Sequence, residues 1–447
     1  MSDFFLKLSR NTLARKVVKQ TGLPIPLPQL LKRQKAPWDH ASLTGLDIGV
    51  GGLENQGFYG QLVGVLQDSG ANMSAEPAKL DGLLFDASVL ETPESLKHLY
   101  QFFHHRVGKL KPCSHVLLVS RTHNKAGTPV KVATHEALTG FVRSLGKELG
   151  SRGIAVNLLI ADEGIDFGGV VRFFLSQHSA FITGQVLTAN GHKTASGRYE
   201  KLLDGKTILV TGAAQGIGAS IARRVAAEGA KVLLLDRPQE MAALEAMARE
   251  VHGTIIPMDL LRDDAVAQTV KKLREFAPVH GVVHNAGITR DKTLFKMKSD
   301  DWDSVLGLNL GVPVAMTEMM MSKEHDYVCA KDASIVFMSS VGGIAGNPGQ
   351  TNYAATKAGL IGYARAWAES DRCGQLRFNC VAPGFIETRM TQAMPVAVRE
   401  VARRLNSLKQ GGEPDDVAQA VTFLLSDVAA CVNGETIRVC GQNFIGR

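Results

Sequence analysis

The stretch that most restricts what this chain can fold into is KTILVTGAAQGIGASIARRVAAEGAKVLLLD, from Lys206 to Asp236. An apolar strand, Thr207 to Val210, enters a turn holding Gly212, Gly216 and Gly218, and a helix is predicted from about Ile217. A second apolar strand follows and ends on Asp236, completing a βαβ unit. Glycine is needed where the turn is tight, where backbone must approach a pyrophosphate, and where the helix sits close to the strand. The helix N-terminus then offers free N–H groups and a positive dipole to phosphates, with Gln215 and Ile217 inside the same turn. Asp236 stands where a carboxylate accepts hydrogen bonds from the adenosine ribose hydroxyls and repels a 2′-phosphate, which favours NAD(H) over NADP(H). Gln215 is neutral where a basic residue would favour the phosphorylated form, while Arg237 softens the preference.

A second stretch, Met338 to Leu360, carries Ser340 and then Tyr353 and Lys357, which at i, i+4 share one helix face. Alone, a Tyr and a Lys at that spacing read equally as a surface pair. Beside a dinucleotide fold they suit proton transfer. A phenol titrating near pH 10 is a poor acid or base at neutral pH, and a neighbouring ammonium is expected to favour its ionised form. Ser340 is placed to hydrogen-bond a carbonyl or alcohol oxygen beside the phenol.

Together, TGAAQGIG, His284-Asn285-Ala286-Gly287, Asn309, Ser340, Tyr353-x-x-x-Lys357 and Ala382-Pro383-Gly384 resemble the short-chain dehydrogenase/reductase family. GNPGQTNYAATKAGL is similar to its 3-oxoacyl-thioester reductases, and the whole chain looks like their high-molecular-weight two-domain members. The resemblance implies that Tyr353 protonates a carbonyl oxygen while a nicotinamide gives hydride to its carbon. It implies further that Lys357 holds the nicotinamide ribose, Ser340 orients the carbonyl, and Asn309 holds a relay water. Asn285, Ala286 and Gly287 would line the adenine and ribose side, with Asp259 near the adenine. Pro383 and Gly384 would begin the segment after a strand, and Thr388 would touch the carboxamide or pyrophosphate. His284 departs from the family, which has Asn there. The expected activity is NADH-dependent reduction of 3-oxoacyl groups on acyl-carrier protein or coenzyme A, within fatty-acid metabolism. The alternatives are a related dehydrogenase of another ketone or secondary alcohol, such as a polyketide, steroid or sugar derivative, and a nucleotide-binding scaffold without turnover. A homodimer is expected. From Phe385 to about Gln410, a Met-, Arg- and apolar-rich segment reads either as a mobile lid for an acyl chain or as a surface helix pair.

At 447 residues the chain is long for one core. Between about Leu46 and Gly191 it again alternates strands, among them LDGLLFD, HVLLVS and IAVNLLI, with a helix over Thr134 to Leu149. This half repeats the other: His135 to Asn157 aligns without a gap on Lys357 to Asn379, DGLLFDAS from Asp81 on HGVVHNAG from His280, and Leu175, Ser176, Gly184 and Gly191 on Leu425, Ser426, Gly434 and Gly441. Opposite Tyr353 lies Lys131 and opposite Lys357 lies His135. The glycines of Gly49 to Gly57 do not fit the dinucleotide spacing, and no helix is evident directly after them. The prediction is a doubly wound parallel (Rossmann) sheet over residues 201–447. A degenerate Rossmann- or flavodoxin-like α/β domain without cofactor or catalytic motifs is predicted over 34–200.

Residues 1–33 read as a basic amphipathic helix and the extended connector Leu23 to Pro28, the helix either docked on the body or meeting a membrane or acidic partner. A formal charge of +7 points toward anionic partners, which by charge alone include nucleic acid, a membrane surface, phosphorylated cofactors and an acidic carrier protein; with the resemblance, no nucleic-acid partner is expected. Scattered cysteines and histidines without ligand spacing predict reduced thiols and no metal. No apolar run has membrane-span length, so no integral membrane association is expected, and the absence of a signal-like leader predicts a cytoplasmic protein.

Overall fold

The computed structural model describes residues 3–11, 20, 27–73, 78–122, 128–191, 199–322 and 328–443. Most of the Leu23–Pro28 connector, and residues 192–198, lie outside these. Two compact units emerge. One comprises Met1–Ala195, Phe385–Gly412 and Val439–Phe444; the other comprises Ser196–Gly384, Glu413–Arg438 and Ile445–Arg447.

The first unit contains five parallel strands in the order β1-β2-β3-β4-β5: Ile48–Gly51, Leu80–Asp86, Leu110–Arg121, Ala155–Ala161 and Val186–Ala189. Its helices are α1 (Phe4–Arg10), α2 (Tyr59–Asp68), α3 (Lys97–Phe103), α4 (Pro129–Leu149) and α5 (Gly168–Leu175). α4 starts earlier than predicted because Thr128 caps it by accepting from the Lys131 N–H and Pro129 occupies its first turn, where a missing N–H costs nothing. Contrary to the sequence reading of Gly49 to Gly57, a helix does follow: α2 begins at Tyr59. α1 ends at Arg10, and residues 12–19 of the predicted basic helix lie outside the described residues.

The second unit has seven parallel strands, β6 (Thr207–Thr211), β7 (Lys231–Asp236), β8 (Thr254–Pro257), β9 (Val279–His284), β10 (Cys329–Met338), β11 (Arg377–Pro383) and β12 (Thr436–Val439). Their order, β12-β11-β10-β9-β6-β7-β8, reverses between β6 and β9 and so creates the crevice where doubly wound folds bind ligands. The helices are α6 (Gly216–Ala227), α7 (Met241–Val251), α8 (Ala265–Leu273), α9 (Ser299–Leu306), α10 (Val312–Met320), α11 (Val341–Ala345) and α12 (Thr351–Ala368). Two further helices, α13 (Arg389–Gln392) and α14 (Val396–Arg404), belong to the first unit, and α15 (Pro414–Leu425) returns to the second.

Strand registers repeat between the units. In the first, Ile48 faces Gly82, Gly82 faces His115 and His115 faces Ala155. In the second, Ile208 faces Gly281, Gly281 faces Ser334 and Ser334 faces Arg377. Both central glycines persist for one reason: a Cβ on Gly82 would lie 2.7 Å from Ile48 Cδ1, and one on Gly281 the same distance from Ile208 Cδ1. A buried clip recurs too. Asn157 Nδ2 donates to Ile182 O, as Asn379 Nδ2 donates to Val432 O, both at 2.9 Å. The first unit therefore matches β6 and β9–β12; among the described residues, no strand corresponds to β7 or β8 between its first two strands.

Candidate active site

The glycine turn has the geometry its residues predict. Gly212 and Gly216 take φ of +67° and +61°, and a Cβ on Gly218 would lie 1.9 Å from Gly212 O, so only glycine lets α6 sit this close to β6. No side chain caps the N-terminus of α6, where Gln215 is the N-cap residue and Ile217 lies in the first turn. Asn285 props the turn from the end of β9: Nδ2 donates to Thr211 O at 2.9 Å and Gly212 O at 3.1 Å. Thr211 Oγ1 completes the joint by accepting the N–H groups of Asn285 and Ala286 at 3.0 Å each. Thr211 was not among the predicted site residues; its place directly before the first glycine was the available signal.

Asp236 ends β7 and accepts from Ala214 N–H through Oδ2 and from its neighbour's N–H through Oδ1, each at 2.9 Å. Arg237, the neighbour expected to soften Asp236, pairs with Glu240 at 3.0 Å on the surface. Asp259 lies beyond β8, its Oδ1 accepting from Leu261 N–H at 3.1 Å. An uncapped helix start, a turn no larger residue can enter and a carboxylate at the next strand end fit a nicotinamide dinucleotide.

Ser340, Tyr353, Lys357 and Asn309 converge at the ends of β9 and β10. Ser340 starts α11, accepting Gly342 N–H at 3.1 Å, and its hydroxyl hydrogen-bonds the Tyr353 phenol. Tyr353 and Lys357 share one face of α12, with Lys357 Nζ 5.5 Å from the Tyr353 ring centre. Lys357 is buried; its Nζ donates to Met338 O at 2.7 Å, and Ser339 Oγ donates to Lys357 O at 2.8 Å. Asn309 sits in an i→i+5 turn, Gly307–Gly311, between α9 and α10. Such a bulge re-aims side chains within a helix. Asn309 clasps Ile288 on both sides, Oδ1 accepting its N–H and Nδ2 donating to its carbonyl at 2.9 Å each. Gly287 keeps this spot open: a Cβ there would lie 3.1 Å from Asn309 Oδ1 and 3.5 Å from Lys357 Nζ.

Burial pushes the Tyr353 phenol above its ordinary range; the Ser340 hydrogen bond opposes this and the Asp291 carboxylate adds to it. The expectation that Lys357 favours the phenolate is therefore reversed here. The cause is the burial of the phenol itself; Lys357 is buried as well, which lowers it to about 8. A phenol held up in this way stays protonated at neutral pH, as a proton donor must. His284 is a packing residue: burial lowers it to about 3, it stacks on Phe337 with ring centres 5.2 Å apart, and Nε2 meets Thr317 Oγ1 at 3.0 Å.

Pro383 ends β11 and Gly384 follows it, the last residue of this stretch of the second unit. Thr388 falls in the first unit, where its Oγ1 accepts Thr391 N–H as the cap of α13. Among the described residues, no group of three His, Cys, Asp or Glu side chains is arranged to hold a metal, and no helix is long and apolar enough to cross a membrane.

Comparison with known proteins places the chain among reductases. Residues 212–441 match a family model described as enoyl-(acyl carrier protein) reductase. A 3-oxoacyl-[acyl-carrier-protein] reductase FabG of Thermotoga maritima is 41% identical over 243 residues, 54% of this chain and 98% of the relative. An acetoacetyl-CoA reductase of Synechocystis is 40% identical over 243 residues, covering 54% and 97%. FabG of Escherichia coli is 38% identical over 248 residues, covering 54% and 98%. The crystal structure of the angucycline C-6 ketoreductase LanV with bound NADP shares the fold at a TM-score of 0.50 and 24% identity, covering 55% of this chain and 98% of that one. The chain thus belongs to the short-chain dehydrogenase/reductase family and is a nicotinamide-dependent oxidoreductase that reduces a keto group.

Proposed function

We propose that this protein reduces 3-oxoacyl thioesters, carried by acyl-carrier protein or coenzyme A, to 3-hydroxyacyl thioesters with NADH. The observation that carries the cofactor choice is Asp236, held by two backbone N–H groups at the adenosine end with Arg237 already paired to Glu240. The substrate class is supported by the 3-oxoacyl and acetoacetyl reductases at 38–41% identity.

When bound, the nicotinamide supplies hydride. Tyr353 gives its phenolic proton to the substrate oxygen, and the Ser340 hydroxyl donates to that oxygen to hold it there. Lys357, next to the phenol and able to exchange its proton near pH 8, holds the nicotinamide ribose and reprotonates Tyr353. Asn309 holds the water that resupplies Lys357. Asn285, Ala286, Gly287 and Asp259 line the adenosine side, with Pro383, Gly384 and Thr388 assigned to the nicotinamide side. Residues Phe385 to Gln410 serve as the acyl lid: Met390, Val398 and Val401 are 62%, 47% and 58% exposed, an apolar surface suited to an alkyl chain.

A homodimer is part of the same proposal. Leu294 and Phe295 are 61% and 96% exposed, and Ala355, Ala358 and Gly362 lie on the exposed side of α12, apolar surface that a second copy would cover. A monomer in sedimentation would refute that part. The deciding assay is NADH oxidation with acetoacetyl-CoA. Wild type should turn over, and Tyr353→Phe should lose about 10²- to 10⁴-fold in kcat while still binding NADH. An inactive wild type or an unimpaired variant overturns the proposal.

A further inference from the structure

Residues Phe385–Gly412 leave the catalytic unit one peptide bond after Gly384 and rejoin it at Glu413, yet they pack within the first unit. The excursion closes on itself: Glu387 N–H donates to Gly412 O at 2.8 Å and Gly412 N–H to Phe385 O at 3.0 Å. Beneath α14, Arg403 is 2% exposed and forks onto Glu387 at 2.5 and 2.8 Å, with Glu400 on its other side. The excursion is bedded against other parts of its unit, Gln410 Nε2 donating to Gln29 O at 2.7 Å.

Arg404 reaches furthest in sequence. Its Nη1 and Nη2 meet Asp3 Oδ2 and Oδ1 at 2.9 and 2.7 Å, a two-pronged pair in which Asp3 is 6% exposed. Phe5 lies against the same guanidinium, its ring centre 5.2 Å away. Asp3 Oδ1 also accepts Leu6 N–H at 3.0 Å and so starts α1. A buried fork of this kind fixes geometry: removing Arg404 leaves the Asp3 carboxylate buried without its partner, whereas removing Asp3 leaves Arg404 on Glu400 Oε2 at 3.2 Å and Lys409 O at 2.7 Å.

We infer that Asp3 and Arg404 form a latch through which the first unit sets the conformation of α14, and with it the capture of the acyl group. Asp3 and Arg404 are positioning residues, and what α14 captures rests on the thioester reading above.

The test is a double-mutant cycle on the full-length chain with Asp3→Asn, which keeps an acceptor for Leu6 N–H, Arg404→Gln, and the double variant. In each single variant, amide hydrogen exchange over Val396–Leu405 should quicken about tenfold, and KM for acetoacetyl-CoA should rise about five- to tenfold, as expected when one partner of a buried pair is removed. The NADH dissociation constant should stay within about twofold, which also reports that the variants are folded. The double variant should be no worse than either single one, because both act on one interaction. Unchanged exchange, or effects that simply add, overturns the latch. If wild type turns over no thioester, the functional reading fails, and the exchange measurement still decides the latch.

Discussion

The turn after β1 and the turn after β6 occupy the same place in two sheets of matching register, and they have opposite fates. After β6 the helix start is bare, and Asn285 at the end of β9 donates away from it, into Thr211 O and Gly212 O. After β1 the residue aligned with Asn285 is Asp86. Its buried carboxylate turns onto the start of α2, where Oδ2 accepts Phe58 N–H at 2.8 Å, while Oδ1 accepts Ser88 N–H at 2.9 Å. In the first unit a side-chain carboxyl thus occupies the helix start that the second unit leaves bare. Burial raises the Asp86 carboxyl, against the pull of its hydrogen bonds to Ser88, Phe58 and Tyr59. One carboxyl in place of one carboxamide separates a helix start open to phosphate from one that repels it.

The harshest way to break this comparison is to carry the plug across. Asn285→Asp should weaken NADH binding about a hundredfold or more in a fluorescence titration, since like charges set side by side cost several kcal/mol. Unaltered affinity would mean that the carboxylate is not what closes the first turn.

A second contrast is Lys357 against its counterpart His135, which is buried and bonded to Ser120 Oγ at 2.8 Å. Burial brings Lys357 in the folded apoenzyme down to about 8, against 10.5 when free. Below pH 8 both states carry the proton and the fold bears the cost of a buried charge. As pH rises from about 8 to 10.5 the folded state sheds it first, so stability grows, and it is lost again as pH falls. Relative to Lys357→Met, wild type should gain up to about 3 kcal/mol over that window in denaturant titrations; a flat difference would contradict the burial argument.

Asp236 has no counterpart in the first unit, which lacks β7. Asp236→Ser should narrow the preference of kcat/KM for NADH over NADPH by about tenfold, and a wild type that prefers NADPH would remove its assigned role. The smallest effect is expected from Asp86→Asn, which sets an amide donor against an N–H group and should cost about 1–2 kcal/mol in thermal unfolding. NADH stoichiometry by calorimetry should remain one per chain, because β7 and β8 are still missing; two would show that Asp86 alone bars the second site.

Much of this was legible in the sequence because period and spacing carry it. The glycine turn, the i, i+4 tyrosine and lysine, and the paired segments around Asn157 and Asn379 are local patterns with local causes. Three things were not. The loss of β7 and β8 hides in an alignment that matches only what remains. The plug at Asp86 is a side-chain direction, set by a helix 27 residues earlier in the chain. The raised phenol of Tyr353 depends on how deeply its own side chain is buried, which spacing along α12 does not encode.

The excursion at Phe385–Gly412 and the short return at Val439–Phe444 also bear on how the molecule is made. During synthesis the first half leaves the ribosome well before these pieces exist, so it must wait with the beds of α14 and of Gln442 uncovered. The half translated first is thus completed only after strands β6 to β11 of the second have been made.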